Sequence, residues 1–272
     1  MLGSPIAHSL SPVLHRAAYR ALGLDGWAYE AIECNEAGLP GLLDTLGPEW
    51  AGLSLTMPLK RAVLPLLDRT EPLAAQVGGA NTVVLSAEGR LGCNTDVPGM
   101  ITALAEAGVT AAAPALVLGA GATACAALAA LHGVGVTEAA VAVRNQATAG
   151  PVREVAARLD MRVRLVAFGA EPAERDWRLL ISTVPAGVAD IYARRISAAT
   201  LAPAAILDAI YHPWPTALAG AAGRAGAVVI GGFELLLHQA ARQVELMTGR
   251  DAPTAAMREA GLAALASRAA AG

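Results

Sequence analysis

The sequence predicts an α/β fold built on a doubly wound parallel sheet, and three observations carry that prediction. Between Ala115 and Gly232, short apolar runs alternate with helical patterns, the order that parallel strands joined by crossover helices require. Ala115-Leu116-Val117-Leu118 is continuously apolar, as strands buried on both faces are. It runs into the small-residue turn Gly119-Ala120-Gly121-Ala122-Thr123 and then an Ala-rich helix to His132. Glycine there lets the backbone approach a pyrophosphate, and the helix N-terminus offers N–H groups and positive potential.

Further strands are expected at Ala139–Val143, Val163–Ala167, Trp177–Ser182, Ala205–Ile210 and Ala227–Ile230, with a helix at Val152–Leu159. Ligands of such sheets sit at the carboxyl ends of the strands. Arg144-Asn145, Thr183, Ala209 and Gly232 occupy those ends. An arginine after the second strand suits the 2′-phosphate of NADP, where an NAD site usually places Asp or Glu.

The residues before Ala115 form a different pattern. Gly3 to Pro12 holds three serines and two prolines, a loop entering a helix at Val13–Leu22 that Gly23 ends. Ser9 or Ser11 is placed to cap it, yet three hydroxyls exceed what one cap needs. A strand follows at Trp27–Ile32 and a helix at Ala37–Leu46. Leu53-Ser54-Leu55-Thr56 alternates as a half-buried strand does, and Pro58 stops it. Lys60 stands at its exit, followed by helices at Ala62–Asp68 and Glu71–Val77. A Gly-rich turn leads into Asn81–Leu85, Gly89 turns the chain, and Leu91–Asp96 returns. Asp96 thereby ends a strand, as Lys60 does, and opens a helix at Val97–Ala107, where capping is its plain alternative role. Phe233–Thr248 and a segment from Asp251 are the last helices, with Gln239 among apolar neighbours.

Composition narrows the function. The chain of 272 residues is 55% hydrophobic and 16% charged, which excludes disorder and allows one large domain or two ordinary ones. A net charge of −3 without a basic run gives no sign of nucleic-acid binding, and no lipidation signal points to a membrane. Cys34, Cys93 and Cys125 lie far apart, and the five histidines show no ligand spacing, so neither a disulfide framework nor a metal is expected. The N-terminal stretch lacks the marks of a signal peptide, and a cytoplasmic location is expected. The uncharged run Ala111–Thr137 is broken by Pro114 and several glycines, which suits strand–turn–helix.

Six ordered motifs together resemble the shikimate dehydrogenase family over nearly the whole chain. They are Gly3-Ser-Pro-Ile-Ala-His-Ser-Leu-Ser-Pro12, Thr56-Met-Pro-Leu-Lys60, Gly79-Ala-Asn-Thr82, Gly92-Cys-Asn-Thr-Asp96, Asp208-Ala-Ile-Tyr211 with Pro213 and Thr216, and Gly232 leading to Gln239. The resemblance implies two domains: a discontinuous α/β substrate-binding domain at 1–97 completed by 233–272, and a Rossmann-type NADP-binding domain at 98–232. It implies reduction of 3-dehydroshikimate to shikimate with NADPH. Lys60 and Asp96 become the catalytic pair. Ser9 and Ser11 become ligands of the substrate carboxylate, and Thr56, Asn81, Asp96, Tyr211 and Gln239 further substrate contacts. Glu71, Gly119, Ala120, Gly121, Ala122, Thr123, Arg144, Asn145, Thr183, Ala209 and Gly232 become the cofactor side. The partner implied is a small molecule, with neither nucleic acid nor membrane, and the resemblance admits a homodimer. The chemistry agrees: hydride arriving at a ketone leaves alkoxide character, which an ammonium group stabilises and protonates while a carboxylate orients it.

The sequence departs from the family pattern in places. Only Met1 and Leu2 precede Gly3, where the family pattern has a first strand, so either the edge of the substrate sheet is trimmed or the start site is misassigned. Ser54 stands where asparagine is common, and Ala122 replaces a glycine that the turn tolerates if its backbone is helical. No second basic residue follows Arg144, which relaxes the preference for NADP over NAD. A quinate or aminoshikimate dehydrogenase, or a non-catalytic ligand sensor on the same scaffold, is the alternative reading.

Overall fold

A computed structural model describes residues 1–170 and 177–271; residues 171–176 and 272, which fall within the expected domain ranges, lie outside the described residues. The chain forms two compact units, a terminal one of Met1–Gly99 with Leu236–Gly272 and a middle one of Met100–Leu235.

The terminal unit begins with β1 (Leu2–Gly3), α1 (Ser11–Ala21), β2 (Ile32–Glu33), α2 (Leu39–Asp44) and β3 (Gly52–Ser54). It continues through α3 (Leu59–Ala62), β4 (Arg69–Thr70), α4 (Pro72–Val77), β5 (Thr82–Ser86) and β6 (Gly89–Cys93). Its four-stranded sheet runs β3-β5-β6-β4, with β5 antiparallel to both neighbours. Leu39, Leu43, Leu53, Leu55, Leu59 and Val83 pack into its core. The first strand is present but only two residues long, parallel to β2 and bridged from Leu2 to Leu55. That shortness corrects the strand expected at Trp27–Ile32. With only β1 to pair against, a ladder forms at Ile32 and Glu33 alone, and Tyr29 turns inward. The helix expected at Ala62–Asp68 is likewise displaced. α3 ends at Ala62 and a 3-10 turn covers Leu64–Leu66, because Pro65 lacks an N–H and disfavours helical geometry in the residue before it.

α5 (Asp96–Glu106) leads into the middle unit: β7 (Ala115–Leu118), α6 (Ala122–Gly133), β8 (Glu138–Val143), α7 (Gly150–Arg158) and β9 (Arg162–Ala167). Then come β10 (Leu179–Ser182), α8 (Asp190–Ser197), β11 (Ala205–Asp208), α9 (Ala217–Arg224) and β12 (Val228–Gly231). The six strands are all parallel, in the order β12-β11-β10-β7-β8-β9. β7, β10 and β11 are buried at every residue, whereas the edge strands β9 and β12 carry exposed ones, as a sheet covered on both faces requires. α6 is buried from Ala124 to Leu131 all round, so its alanines serve close packing against the sheet. The order reverses between β7 and β10, which places a crevice at their carboxyl ends.

α10 (Gly232–Thr248) carries the chain back to the terminal unit, and α11 (Thr254–Ala271) packs on α1. Gly99 lets α5 pass against α10: a Cβ there would sit 2.8 Å from the backbone nitrogen of Gln239. Gly99→Ala is therefore expected to destabilise the protein by about 1–3 kcal/mol, because the obstacle is backbone. A urea unfolding midpoint equal to the parent's would remove Gly99 from this role.

Candidate functional site

Lys60 lies in the first turn of α3 and is the chain's only lysine; the other 19 of its 20 basic residues are arginines. Its ammonium donates to Asp96 Oδ2 at 2.6 Å, with side-chain exposures of 14% and 9%, so Lys60 is not an ordinary solvated loop lysine. Removing either partner leaves an uncompensated charge, a cost of about 3–5 kcal/mol for a buried pair. Asp96 opens α5 but does not cap it. Asn94 Oδ1 accepts from the N–H groups of Asp96 and Val97 at 3.1 and 3.3 Å, which frees the Asp96 carboxylate.

Asn81 completes the group. Its Nδ2 donates to Asp96 Oδ1 and Thr95 Oγ1, both at 2.9 Å, and reaches Gln239 Oε1 at 3.4 Å. Its Oδ1 accepts from the Thr95 N–H at 2.8 Å. Gln239 Nε2 is held by the Leu236 carbonyl at 2.9 Å. Four predicted residues, Lys60, Asp96, Asn81 and Gln239, thus form one hydrogen-bonded cluster. Ser9 Oγ accepts from the Ser11 N–H at 3.2 Å, although the cap position of α1 belongs to Leu10, and Ser11 is buried. Thr56 follows β3, its N–H bonded to the Leu2 carbonyl. Glu71 stands beside Cys93, whose thiol burial and that carboxylate push up to about 12.

A further layer of polar groups escaped the sequence reading. His15, Tyr29, Ser54, Thr82 and Gln243 are all buried. Tyr29 donates to Ser54 Oγ at 2.7 Å and stacks on His15 with ring centroids 4.0 Å apart. Ser54 therefore belongs to an interior network with Tyr29 and Gln243. The available signal was Gln239 and Gln243 one helical turn apart on a helix otherwise apolar on that face.

In the middle unit, register aligns the expected nucleotide residues. Leu118 pairs with Ala142 and Ser182, Ser182 with Asp208, and Asp208 with Gly231. The next residues, Val143, Gly119, Thr183, Ala209 and Gly232, consequently share one level at the carboxyl edge. Gly119 has φ +107°, and a Cβ there would meet Thr183 Oγ1 at 2.8 Å. Gly121 is the N-cap of α6 without a side-chain cap, and a Cβ on it would meet open space. Ala120 lies between them; Ala122 and Thr123 begin α6, so Ala122 is helical as the turn demands. The first N–H groups of α6 face this edge, a cradle that fits a pyrophosphate. Arg144 is exposed beside it, whereas Asn145 Oδ1 accepts from the Ala147 N–H at 2.9 Å and caps a short turn. Asp208 is buried, its carboxyl pushed up by desolvation, and accepts from Thr216 Oγ1 at 2.6 Å. Tyr211 follows β11 in the same unit, three residues beyond Asp208.

Known proteins match this chain throughout. Residues 1–83 match the family model for the shikimate dehydrogenase substrate binding domain, and residues 232–260 that for the shikimate 5′-dehydrogenase C-terminal domain. A shikimate dehydrogenase (NADP(+)) of Thermus thermophilus is 39% identical over 267 residues, 97% of either chain. The crystal structure of shikimate dehydrogenase from Mycobacterium tuberculosis is similar at 48% identity and a TM-score of 0.86, over 97% of each chain. A Thermus thermophilus shikimate 5-dehydrogenase solved in complex with NADP(H) and shikimate gives 33% identity and a TM-score of 0.82, over 97% of each chain.

Burial of His15 has a consequence for stability. Desolvation lowers its pKa from 6.5 to about 3, with the Gln243 hydrogen bond opposing. The unfolded chain binds the proton first, so the stability is full above pH 6.5 and falls as pH drops towards 3. About 2 kcal/mol should be lost between pH 7 and pH 5 from this group. His15→Gln should flatten that dependence; urea midpoints at the two pH values test it, and an identical slope would contradict it.

Proposed function

The chain belongs to the shikimate dehydrogenase family, and from that premise we propose that it catalyses the reversible NADP-dependent reduction of 3-dehydroshikimate to shikimate, in the cytoplasm, for aromatic amino-acid biosynthesis. The observation that carries this reading is the Lys60–Asp96 pair held at 2.6 Å with Asn81 on the second carboxylate oxygen. NADPH bound along the cradle of Gly119–Thr123 supplies the hydride. Lys60 stabilises the negative charge that develops on the carbonyl oxygen and delivers a proton to it; in the oxidation of shikimate it accepts that proton. Asp96 fixes the direction of the ammonium and accepts from a substrate hydroxyl. Asn81 and Gln239 present amides beside the pair, and Ser9, Ser11, Thr56 and Tyr211 provide the remaining substrate contacts. Arg144 meets the 2′-phosphate of the cofactor, Asn145 shapes the turn that follows, and Glu71, Thr183, Ala209 and Gly232 complete the cofactor side. Among the described residues no helix is long and apolar enough to cross a membrane.

A ligand sensor would need a pocket but no proton donor. The retention of one lysine in a chain of arginines favours turnover, since a guanidinium does not release its proton at accessible pH. Assays with shikimate and quinate against NADP and NAD test the proposal, and preference for quinate with NAD would overturn it. Lys60→Ala and Lys60→Arg should each lose about 10²–10⁴-fold in kcat, while shikimate binding measured by calorimetry persists. Arg144→Ala should raise the KM for NADPH about tenfold, as the loss of a charge-assisted hydrogen bond implies, and leave that for NADH unchanged. Equal effects on both cofactors would contradict the phosphate role.

A further inference from the structure

We propose that Gln243 is a positioning residue for the Lys60–Asp96 pair, acting through Thr82 and Asn81 and anchored from behind by His15. The inference follows from which groups can only donate and which can only accept. The Asn81 carbonyl only accepts, so the Gln243 atom at 3.1 Å from it is Nε2. The same nitrogen donates to Thr82 Oγ1 at 2.9 Å, and Thr82 passes its own proton to Asn81 Oδ1 at 2.9 Å. That oxygen also receives the Thr95 N–H, so the Asn81 amide cannot turn over, and its Nδ2 must face the Asp96 carboxylate.

Behind Gln243 the order is equally fixed. With Nε2 committed, Oε1 accepts from Ser54 Oγ at 2.8 Å and faces His15 Nε2 at 3.2 Å. Tyr29 donates to Ser54, which leaves the Ser54 proton for Gln243. His15 must then carry its proton on Nε2. Its fully buried ring, with a pKa lowered to about 3, is neutral and has one proton to place. The other ring nitrogen faces the Tyr19 hydroxyl at 3.5 Å. Gln243 is 1% exposed with its amide committed on both sides. It has no valence left for a substrate, yet every bond it makes leads to Asn81 or braces it from behind.

The kinetic half of the test rests on the dehydrogenase reading, and a second half does not. Because Lys60 is the only lysine, protein labelled with [15N]lysine gives one side-chain Nζ signal. Gln243→Met keeps the length of the side chain and removes its hydrogen bonds. His15→Phe keeps the stack on Tyr29 and removes the donor, and His15→Gln restores an amide donor. In the ligand-free protein the Lys60 signal should move in Gln243→Met and His15→Phe and return towards the parent's in His15→Gln. Shikimate oxidation per folded site should fall about tenfold in the first two, with the KM for NADP unchanged. A Lys60 signal unmoved in both variants overturns the inference whatever happens to the melting temperature, because a purely structural role would change stability alone. A parent that moves no hydride from shikimate overturns the dehydrogenase reading and leaves the signal to decide this one.

Discussion

The ammonium–carboxylate pair of Lys60 and Asp96 is the constraint around which the terminal unit is arranged. Two charges largely withdrawn from water lose hydration that their mutual attraction alone does not return, so such a pair persists where other hydrogen bonds complete it. Much of the local sequence serves that completion. Asn94 takes over the capping of α5. Asn81 occupies the second oxygen of Asp96, and Gly99 allows α10 close enough to bring Gln239 beside it. Lys60 of α3 and Asn81 just before β5 therefore converge on one carboxylate, and Gln239 of α10 meets the same Asn81 amide.

The middle unit solves a different problem by different means. It places few charges at its sheet edge and relies on register. Because each parallel strand is in step with its neighbour, the residues after the strands fall on one line, where backbone N–H groups and glycine clearance leave room for the proposed cofactor. A side-chain cap on α6 would occupy the N–H groups that an anion needs, and Gly121 has none to offer. In the proposed reading the sheet supplies a generic anion cradle, and the exposed Arg144 distinguishes one nucleotide from another.

The middle unit was legible in the sequence because its signals are local. Continuous apolar runs mark β7, β10 and β11, and Gly119 needs its positive φ whatever lies around it. In the terminal unit the motif residues were legible individually, and Lys60, Asp96, Asn81 and Gln239 do meet. The strand at Trp27–Ile32 was misplaced because strand formation depends on a partner, and β1 provides only two residues. His15, Ser54 and Gln243 were not legible as a set, since they come from α1, β3 and α10 and meet only through tertiary packing. A buried histidine looks like an ordinary core residue until its partners are placed around it.

The lysine economy of the chain has one more consequence. Surface arginines keep the protein's charge and its hydrogen bonds while offering nothing to electrophiles that attack amines. Reactive acyl donors and aldehydes, which decorate most proteins at scattered surface lysines, find here a single side-chain target, and it is guarded by a carboxylate inside the site. Side-chain amine modification of this protein is consequently all-or-nothing: a molecule that has reacted at a side-chain amine is one whose Lys60 has been captured.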